Sequence, residues 1–239
     1  MDRFFCPDFA TGPDALLDEA EAHHLQHVLR YRVGDQVEVF DGRGACAAAE
    51  IRELSRRGAR LRLTSEAVID PEPPVRLVLG VAPPKGDRFR WLVEKATELS
   101  VGALVPLLCE RSVVEPRDSR LQKLEQTVVS ACKQCGRNRL MELRSPQSLR
   151  DFFSSAGSCR RLAADPGGPR LDVPLAEAGE TALVAIGPEG GFSPQEVGLL
   201  DELGVARVSL GETILRIETA AIAVAAVARL VGGPPRHAV

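Results

Sequence analysis

From residue 75 onward, short apolar stretches alternate with segments whose apolar residues recur every three or four positions. Residues 75–81 form a mostly apolar stretch, which is typical of a strand buried on both faces. Residues 87–99 follow with apolar side chains at helical spacing, namely Phe89, Leu92, Val93, Ala96 and Leu99. Strands that alternate with helices in this way form a mainly parallel sheet, so the pattern predicts an α/β domain.

The same alternation continues to residue 230. We predict further strands at 103–108, 141–143, 160–164, 181–187 and 206–210, and helices at 121–135, 148–156, 194–203 and 218–230. Upstream, residues 69–74 read IDPEPP, and three prolines in four residues cannot continue a helix or a central strand. We therefore place a domain boundary here, between a first domain at 1–70 and a second domain at 74–239.

The first domain has the features of a small β-structure. Residues 36–40 and 45–51 flank the sequence DGRG, and Asp-Gly favours the tight turn of a hairpin. Residues 60–64 alternate polar and apolar side chains, as a half-buried strand does. One short helix is predicted at 20–30. Together these elements predict a small barrel-like domain.

Charge is distributed unevenly along the chain. The 239 residues carry a formal net charge of −3, but residues 71–150 hold 14 basic and 9 acidic residues, including all four lysines. A local basic zone of this kind attracts polyanions such as RNA. The alternative is an ordinary solvated helix face, and charge alone favours neither.

Neither hydropathy nor cysteine spacing indicates a membrane or secreted protein. The longest apolar run, at 220–228, is about half of the roughly 20 residues that cross a bilayer. The first twenty residues carry acids where a signal peptide is apolar. Of six scattered cysteines, Cys132 and Cys135 form a CxxC motif without the second motif that a zinc site requires. We expect a soluble, cytoplasmic protein without a metal.

The segment 182–196, ALVAIGPEGGFSPQE, reads as a buried strand, a loop with three glycines and a helix start. Ser193 precedes Pro194 and forms a capping box with Glu196. Ligands bind at the carboxyl ends of strands in such sheets. The loop lacks the lysine and the spacing of phosphate-binding loops, and Glu189 would repel a phosphate. A cationic or neutral ligand is predicted; the alternative is a glycine-rich turn without function.

The segment 208–221, VSLGETILRIETAA, is a second strand end that runs into an alanine-rich helix. Arg216 has apolar neighbours in sequence, where an arginine needs a partner or a function. It either pairs with an acid such as Glu218 or contacts an anion or a substrate base. Because both segments follow strands at the same edge of the sheet, we expect residues 186–196 and 210–221 to meet in one ligand site.

Two further segments carry nitrogen-rich side chains. Residues 131–139, ACKQCGRNR, cluster cations and amides at a helix end closed by Gly136. Such a cluster suits contacts to RNA phosphates and bases, although cations are also favoured at helix C-termini for electrostatic reasons alone. The sequence HHLQHVLR at 23–30 holds three histidines without a cysteine or acid to complete a metal site, and Arg30 beside them suits RNA contact.

Taken together, these segments resemble the RsmE family. The motifs HHLQHVLR, PPKGDRFRWLVEKATELSVGALVPL, ACKQCGRNR, IGPEGGFSPQE and LGETILRIETA occur in the order of that family and span essentially the whole chain. The resemblance implies S-adenosylmethionine-dependent methylation of N3 of a uridine in bacterial 16S ribosomal RNA. It also implies a PUA-like RNA-binding β-barrel at 1–70, a SPOUT-type domain with a deep trefoil knot at 74–239, and a homodimer that acts on the assembled 30S subunit.

The resemblance also implies roles for individual residues. The residues expected to bind the cofactor are Leu107, Leu108, Gly187, Pro188, Glu189, Gly190, Gly191, Leu210, Gly211, Ile214 and Leu215. Those expected near RNA are Arg30, Lys85, Arg111, Lys133, Gln134, Arg137, Asn138 and Arg139. Arg216 and Glu218 are the expected catalytic residues. Thr213 stands where many relatives have a basic residue, so a phosphate contact at that position is not carried over.

The chemistry of this reaction fits the two loops. A positively charged sulfonium donor agrees with an acidic loop that lacks lysine. Uridine N3 must lose a proton at or before attack, so the site needs a base or stabilisation of the uracil anion. We assign anion stabilisation to Arg216 and proton acceptance to Glu218 or Glu189. The alternatives are methylation of another RNA position, such as a ribose 2′-hydroxyl, and a non-catalytic RNA-binding or assembly factor with a vestigial pocket.

Overall fold

The structure is a computed structural model that describes residues 1–9, 12–73, 75–114, 118–154, 159–171, 175, 177 and 179–231. The chain separates into two compact units. The first comprises Met1–Glu72 together with Val129–Leu140, and the second comprises Pro73–Val128 and Met141–Val239. The first division falls in the proline-rich segment, but the first unit also includes a segment from the middle of the chain.

The first unit is built on a mainly antiparallel sheet. Among the described residues its strands are β1 (Arg3–Phe5), β2 (Asp14–Leu17), β3 (Gln36–Phe40), β4 (Ala45–Ser55), β5 (Gly58–Leu63) and β6 (Val68–Ile69). They lie in the order β1-β3-β4-β5-β2, with β6 paired to β4. Only β1 and β3 pair in parallel within this described sheet. A bulge between Ile51 and Glu53 bends β4, and the sheet forms the curled half-barrel expected of a PUA-like domain.

The turn between β3 and β4 is fixed by its sequence, DGRG. The buried carboxylate of Asp41 accepts hydrogen bonds from the backbone of Arg43 (2.7 Å) and Ala45 (3.0 Å). Gly42 and Gly44 adopt positive φ angles, a conformation that favours glycine. The hairpin predicted at this sequence is therefore confirmed. Alternate residues of β4 are buried and join a core that includes Phe4, Phe9, Leu25, Ile51 and Leu61.

The helix predicted at 20–30 consists of two kinds of helical turn. It begins as α1 (Glu19–His23), with the side chain of Asp18 capping its first turn. It continues as a π-helical stretch at His24–Val28, in which backbone hydrogen bonds span five residues. Arg30 follows with a φ angle of +61°, which ends the helical conformation and leaves its side chain exposed.

The segment Val129–Leu140 belongs to the first unit because its polar side chains pair with residues there. Asn138 is buried and accepts a hydrogen bond from Arg3, 135 positions away in sequence. The ammonium group of Lys133 lies 2.6 Å from a carboxylate oxygen of Glu21. The boundary predicted at residues 69–74 places this segment in the second domain, because sequence spacing carries no information about pairing over such distances.

The second unit contains a parallel sheet. Its described strands are β7 (Arg76–Val81), β8 (Ala103–Leu108), β9 (Glu142–Leu143), β10 (Gln147–Ser148), β11 (Cys159–Ala164), β12 (Thr181–Ile186) and β13 (Ala206–Val208). Their order is β10-β8-β7-β12-β11-β13, and β9 also pairs with β8. Every one of these described pairs is parallel. The α/β architecture with a mainly parallel sheet is thus confirmed.

Helices occupy the connections between these strands. They are α2 (Arg88–Glu98), α3 (Asp118–Cys135), α4 (Leu149–Ser154), α5 (Pro194–Glu202) and α6 (Ile217–Val231). Of the apolar stripe predicted for α2, Phe89, Leu92, Val93 and Ala96 are buried, and Leu99, just beyond the helix, is half-buried. Helix α2 packs against α6. The sheet core includes Val105, Leu183 and Ala185, which pack with Phe152 and Phe153 of α4. A rigid sheet therefore supports the loops that follow its strands.

Candidate functional site

Three neighbouring strands end together at one edge of the second unit's sheet. Strands β12, β11 and β13 are adjacent and parallel. The register pairs Ala164 with both Ile186 and Val208, so the last residues of the three strands lie side by side. The loops that follow therefore start next to one another, at the edge where ligands bind in sheets of this type.

A cavity of about 350 Å³ lies between these three loops. Its volume is within the range of small-ligand sites, roughly 300–1,000 Å³. Residues 186–196 and 210–221 both contribute to its wall, so the two segments meet as the sequence predicts. The cavity is lined by Ala164, Asp165, Pro166, Ile186, Gly187, Pro188, Glu189, Gly190, Gly191, Phe192, Val197, Ser209, Leu210, Gly211, Thr213, Ile214, Leu215, Ile217 and Ala220.

The charged side chains of the cavity wall are acidic. Asp165 and Glu189 line it, and no lysine or arginine is among the lining residues that the structure describes. Each carboxylate is also paired with an arginine that lies outside the wall, Arg207 for Asp165 and Arg88 for Glu189. The wall itself therefore presents carboxylate oxygens, which attract a cationic group and repel a phosphate. Most of the remaining wall is apolar or backbone. The cavity therefore suits a ligand with apolar surface and a positive charge.

The first loop, which follows β12, has a fixed backbone. A Cβ atom on Gly187 would lie 3.1 Å from the ring of Phe192, so the loop packs closely on this ring. Gly191 has a φ angle of +69°, which favours glycine. Ser193 and Glu196 form the predicted capping box at the start of α5, and it holds the far end of the loop in place.

A third loop, which follows β11, was not included in the site predicted from the sequence. Its residues Asp165 and Pro166 line the cavity. One carboxylate oxygen of Asp165 accepts a hydrogen bond from the backbone of Gly167 (2.9 Å), and the other lies 3.1 Å from the guanidinium of Arg207. The sequence signal was available, because residues 160–164 were predicted to be a strand of the same sheet. The sequence does not indicate, however, that this strand lies next to β12 in the sheet.

The second loop, which follows β13, ends at Arg216, and the other predicted catalytic residue, Glu218, lies in the first turn of α6. Ile214 lines the cavity with 84% of its surface exposed. The exposed side chain of Arg216 makes no hydrogen bond or ion pair with a residue that the structure describes. Its neighbours Leu215 and Ile217 line the cavity, but Arg216 itself does not. The alternative pairing of Arg216 with Glu218 is not observed.

Glu218 is instead paired with an arginine that the sequence analysis did not single out. The guanidinium of Arg88, the first residue of α2, lies 3.5 Å from Glu218 and 3.1 Å from Glu189. Glu218 is 7% exposed, and its second carboxylate oxygen, Oε2, is buried without a hydrogen bond. Arg88 thus connects the first loop with the start of α6. No signal in the sequence distinguishes it from Arg90.

Two of the residues expected near RNA lie beside the first loop. Arg111 donates a hydrogen bond to the carbonyl oxygen of Gly190 (2.8 Å). Lys85 is exposed and lines a small crevice that shares Pro188, Glu189 and Ile217 with the main cavity. The crevice and the cavity therefore lie on two sides of the same loop.

The structure places the two leucines that end β8 outside the cavity wall. Leu107 is fully buried in the sheet core, and Leu108 is 49% exposed. Neither is among the described residues that line the cavity. The other residues expected to bind the cofactor, which lie in the two glycine-containing loops, all line the cavity.

The residues expected near RNA in the first unit fall into two groups. Lys133 pairs with Glu21 and lies 5.1 Å above the ring of Phe4, and Asn138 is buried. Arg139 donates a hydrogen bond to the carbonyl oxygen of Asp70 (2.9 Å) and lies 2.9 Å from the carboxylate of Glu72. The carbonyl oxygen of Arg137 accepts a hydrogen bond from Arg3. In contrast, the side chains of Arg30 and Gln134 are exposed.

The described cysteines are all free thiols. Burial raises the pKa of Cys109 to about 12, and the nearby carboxylate of Glu196 adds to the shift. Burial also raises the pKa of Cys6 and of Cys46. Within the part of the chain that is described, no group of three or more histidine, cysteine or acidic residues is arranged to hold a metal ion.

Comparison with known proteins identifies related sequences along most of the chain. Residues 71–229 match the family described as "RNA methyltransferase domain", and residues 17–64 match "RNA methyltransferase PUA domain". The chain is 32% identical to Ribosomal RNA small subunit methyltransferase E of Synechocystis sp., covering 90% of this chain and 72% of that protein. It is 29% identical to the protein of the same name from Bacillus subtilis, with coverage of 92% and 93%.

Two solved structures share the whole fold. Ribosomal RNA small subunit methyltransferase E of Neisseria gonorrhoeae, bound to S-adenosyl methionine, superposes with a TM-score of 0.86 at 31% identity and covers 97% of this chain and 98% of that chain. A methyltransferase of Legionella pneumophila in complex with the bound cofactor SAM gives a TM-score of 0.88 at 30% identity, with coverage of 98% and 99%.

The parallel sheet, its three-loop cavity and the match over residues 71–229 define the class of this protein as RNA methyltransferases. Within that class, the chain belongs to the ribosomal RNA small subunit methyltransferase E family. This confirms the RsmE resemblance and the PUA-like character of the first domain. None of the described helices is long and apolar enough to span a membrane.

Proposed function

We propose that this protein transfers a methyl group from S-adenosylmethionine to N3 of a uridine in the 16S ribosomal RNA of the small subunit, in the cytoplasm. The observation that carries the proposal is the cavity between three strand-end loops, which has two carboxylates in its wall and no described cation. Family membership supplies the substrate class, and the cavity supplies the chemical reason for the cofactor.

The cavity fits S-adenosylmethionine in charge and in polarity. When bound, this cofactor supplies an electrophilic methyl group on a positively charged sulfur. Asp165 and Glu189 favour the positive charges of such a ligand, while Leu210 and Ile214 offer apolar surface. Gly187, Gly190 and Gly191 allow the backbone of the first loop to approach it closely.

Two residues at the start of α6 are proposed to act on the uridine. As the bond from N3 to the methyl carbon forms, N3 loses its proton and the uracil oxygens gain negative charge. Arg216 stabilises this charge, because its guanidinium is free of described partners next to the cavity wall. Glu218 is the proposed proton acceptor, since its Oε2 atom has no hydrogen bond with a described group. Glu189 is the alternative acceptor.

RNA contact is proposed for nitrogen-rich side chains that the family resemblance places near RNA, and most directly for those that the fold leaves exposed. Arg30, Lys85 and Gln134 are exposed, and long cationic or amide side chains suit phosphate and base contacts. Arg111 and Arg137 complete the proposed set. Lys133, Asn138 and Arg139 were expected to contact RNA as well, but their polar atoms already pair inside the first unit. We propose that these three residues stabilise the first unit and contact RNA less directly than the exposed side chains.

A homodimer and a deep trefoil knot in the second domain are further proposals. Both derive from the family resemblance. The dimer is supported by apolar side chains that a monomer leaves exposed, because Ile214 in the cavity wall and Leu230 on α6 are each 84% exposed. A partner covering Ile214 would complete the wall of the cavity. Sedimentation equilibrium measures the oligomeric state directly.

The proposal is tested by two measurements on the purified protein. Titration calorimetry with S-adenosylmethionine measures binding to the cavity, and the absence of binding would favour a non-catalytic RNA-binding factor. Transfer of a labelled methyl group is then compared between free 16S ribosomal RNA and assembled 30S subunits. We expect binding, and transfer to the assembled subunit. Transfer to neither substrate would contradict the proposed activity.

A further inference from the structure

The position of Arg88 in the sequence is not explained by the stability of α2, the helix to which it belongs. It is the first residue of α2, a helix whose first turn contains no acid and whose N-cap residue, Asp87, makes no capping hydrogen bond. The N-terminus of a helix carries partial positive charge, so a cation there is electrostatically unfavourable. The reason for an arginine at this position therefore lies outside α2.

The contacts of Arg88 point to the site. Its Nη1 atom donates a hydrogen bond to Glu189 of the first loop (3.1 Å) and lies 3.5 Å from Glu218 at the start of α6. Its Nε atom donates to the carbonyl oxygen of Lys85 at 3.4 Å, which orients the guanidinium from its own side. One side chain thus joins the start of α2 to a loop residue 101 positions later in the sequence and to the start of α6 beyond it.

The two carboxylates that Arg88 contacts differ in their surroundings. Glu218 is buried, and Arg88 is the one described cation within 4.0 Å of it. Glu189 is half exposed and lines the cavity. A planar guanidinium offers several donors in fixed directions, whereas a lysine ammonium is a compact point charge. Arg88 contacts both carboxylates through Nη1 while its Nε atom is held by the carbonyl oxygen of Lys85. A lysine has a single nitrogen and no second donor for that anchoring contact.

We propose that Arg88 is a positioning residue of the methyl-transfer site, which holds Glu189 of the cofactor loop and Glu218 of α6 in a fixed relative position. This inference rests on the proposed function. Neither Arg88 nor Glu218 lines the cavity in the described structure, whereas Glu189 and Ile217 do. Arg88 therefore acts through Glu189 in the cavity wall and through Glu218, the residue that follows Ile217. Its loss releases the first loop and the start of α6 from each other, which displaces the residues on either side of the reacting atoms.

The test compares Arg88→Met with Arg90→Met in the full-length protein. Arg90 lies on the same helix, is exposed and makes no hydrogen bond or ion pair with a described residue, so its variant is a matched control. We expect kcat for methylation of 30S subunits to fall on the order of 100-fold in Arg88→Met, with a smaller change in the dissociation constant of S-adenosylmethionine. Arg90→Met should match the wild type in both. Equal kcat in the two variants would overturn the proposal.

A second variant separates positioning from charge neutralisation. Arg88→Lys keeps a cation beside the buried Glu218, so it should fold even where Arg88→Met does not. We expect Arg88→Lys to restore the unfolding temperature but not kcat. Full recovery of kcat by lysine would overturn the proposal, because charge alone would then suffice.

Hydrogen exchange provides a readout that does not depend on RNA. In the free protein, amide exchange at residues 187–191 should be faster in Arg88→Met or Arg88→Lys than in Arg90→Met, because the loop loses its anchor. Unchanged exchange would contradict the anchoring role. If the wild type methylates no RNA, the proposed function fails while this measurement still decides whether Arg88 holds the loop.

Discussion

Asp165 and Glu189 are the residues that give the cavity its electrostatic character. Asp165 is held by the guanidinium of Arg207, which also lies 3.5 Å from Asp201. Asp165 lines the cavity, whereas Asp201 does not. These two aspartates therefore share one arginine and differ in their access to the ligand, which provides a controlled comparison.

We predict that Asp165→Asn weakens the binding of S-adenosylmethionine by about tenfold or more, since a charge-assisted contact contributes about 1.5–3 kcal/mol. Asp201→Asn also removes a carboxylate from Arg207 but leaves the cavity wall intact, so its affinity should equal that of the wild type. Titration calorimetry measures both. The same affinity loss in the two variants would show that Arg207, rather than the cavity charge, controls binding.

Cys109 is predicted to be an unreactive thiol. With a pKa of about 12, only about one molecule in ten thousand carries the thiolate at pH 8, and the thiolate is the reactive form. Alkylation of the native protein followed by peptide mass spectrometry measures the rate. It should be far slower at Cys109 than at the partly exposed Cys135 and should still be rising at pH 9, about tenfold for each pH unit. Equal rates at pH 8 would contradict the effect of burial.

At the scale of elements, the capping box at the start of α5 links helix stability to the site. Ser193 is fully buried and its hydroxyl accepts from the backbone of Glu196, whose carboxylate accepts from the backbone of Ser193 (2.8 Å) and of Glu110 (2.9 Å). The cap thus joins the first loop to the segment that follows β8.

We predict that Ser193→Ala lowers the free energy of unfolding by about 1 kcal/mol, the usual cost of losing an N-cap. Gln195→Ala, at an exposed position in the first turn of the same helix, serves as the control and should change stability little. Urea denaturation measures both. A loss in Ser193→Ala no larger than in the control would show that the cap is not needed for stability.

The elements were predictable wherever periodicity was strong. The strand at 103–108 and the helix at 121–135 agree with β8 and α3 to within three residues, because each buries a regular set of apolar residues. The three residues of β1 are too few to show a period, and β1 is stabilised by pairing with β3, which begins 33 positions later. The third loop, which follows β11, was not predicted to belong to the site, because only the order of the strands in the sheet places it beside the first loop.

At the scale of the whole molecule, the contribution of Val129–Leu140 to the first unit could not be predicted from the sequence. The cluster at 131–139 was recognised as nitrogen-rich, but composition does not distinguish a cation that binds RNA from one that binds Glu21. The same limit applies to Arg88 and Glu189, which are 101 positions apart. Local patterns predict elements, whereas partners of single side chains follow from the assembled fold.

We predict that Arg30→Glu and Gln134→Glu each weaken binding to 30S subunits and that Arg30→Glu flattens its salt dependence by about one phosphate contact. Arg150→Glu, at an exposed position of the basic stretch 71–150 that the family resemblance does not place near RNA, is the control. Binding is measured at several salt concentrations. Equal effects of Arg30→Glu and Arg150→Glu would favour a general electrostatic attraction over a defined RNA-binding surface.

The central claim is that the cavity carries out methylation of uridine N3 in 16S ribosomal RNA. The direct measurement is mass spectrometry of nucleosides from 30S subunits after reaction with S-adenosylmethionine and either the wild-type protein or Arg216→Ala. We expect the wild type to produce N3-methyluridine at one site, and Arg216→Ala to bind the cofactor normally but to produce far less. A methyl group on a ribose, or a wild-type rate in Arg216→Ala, would contradict this account of the site.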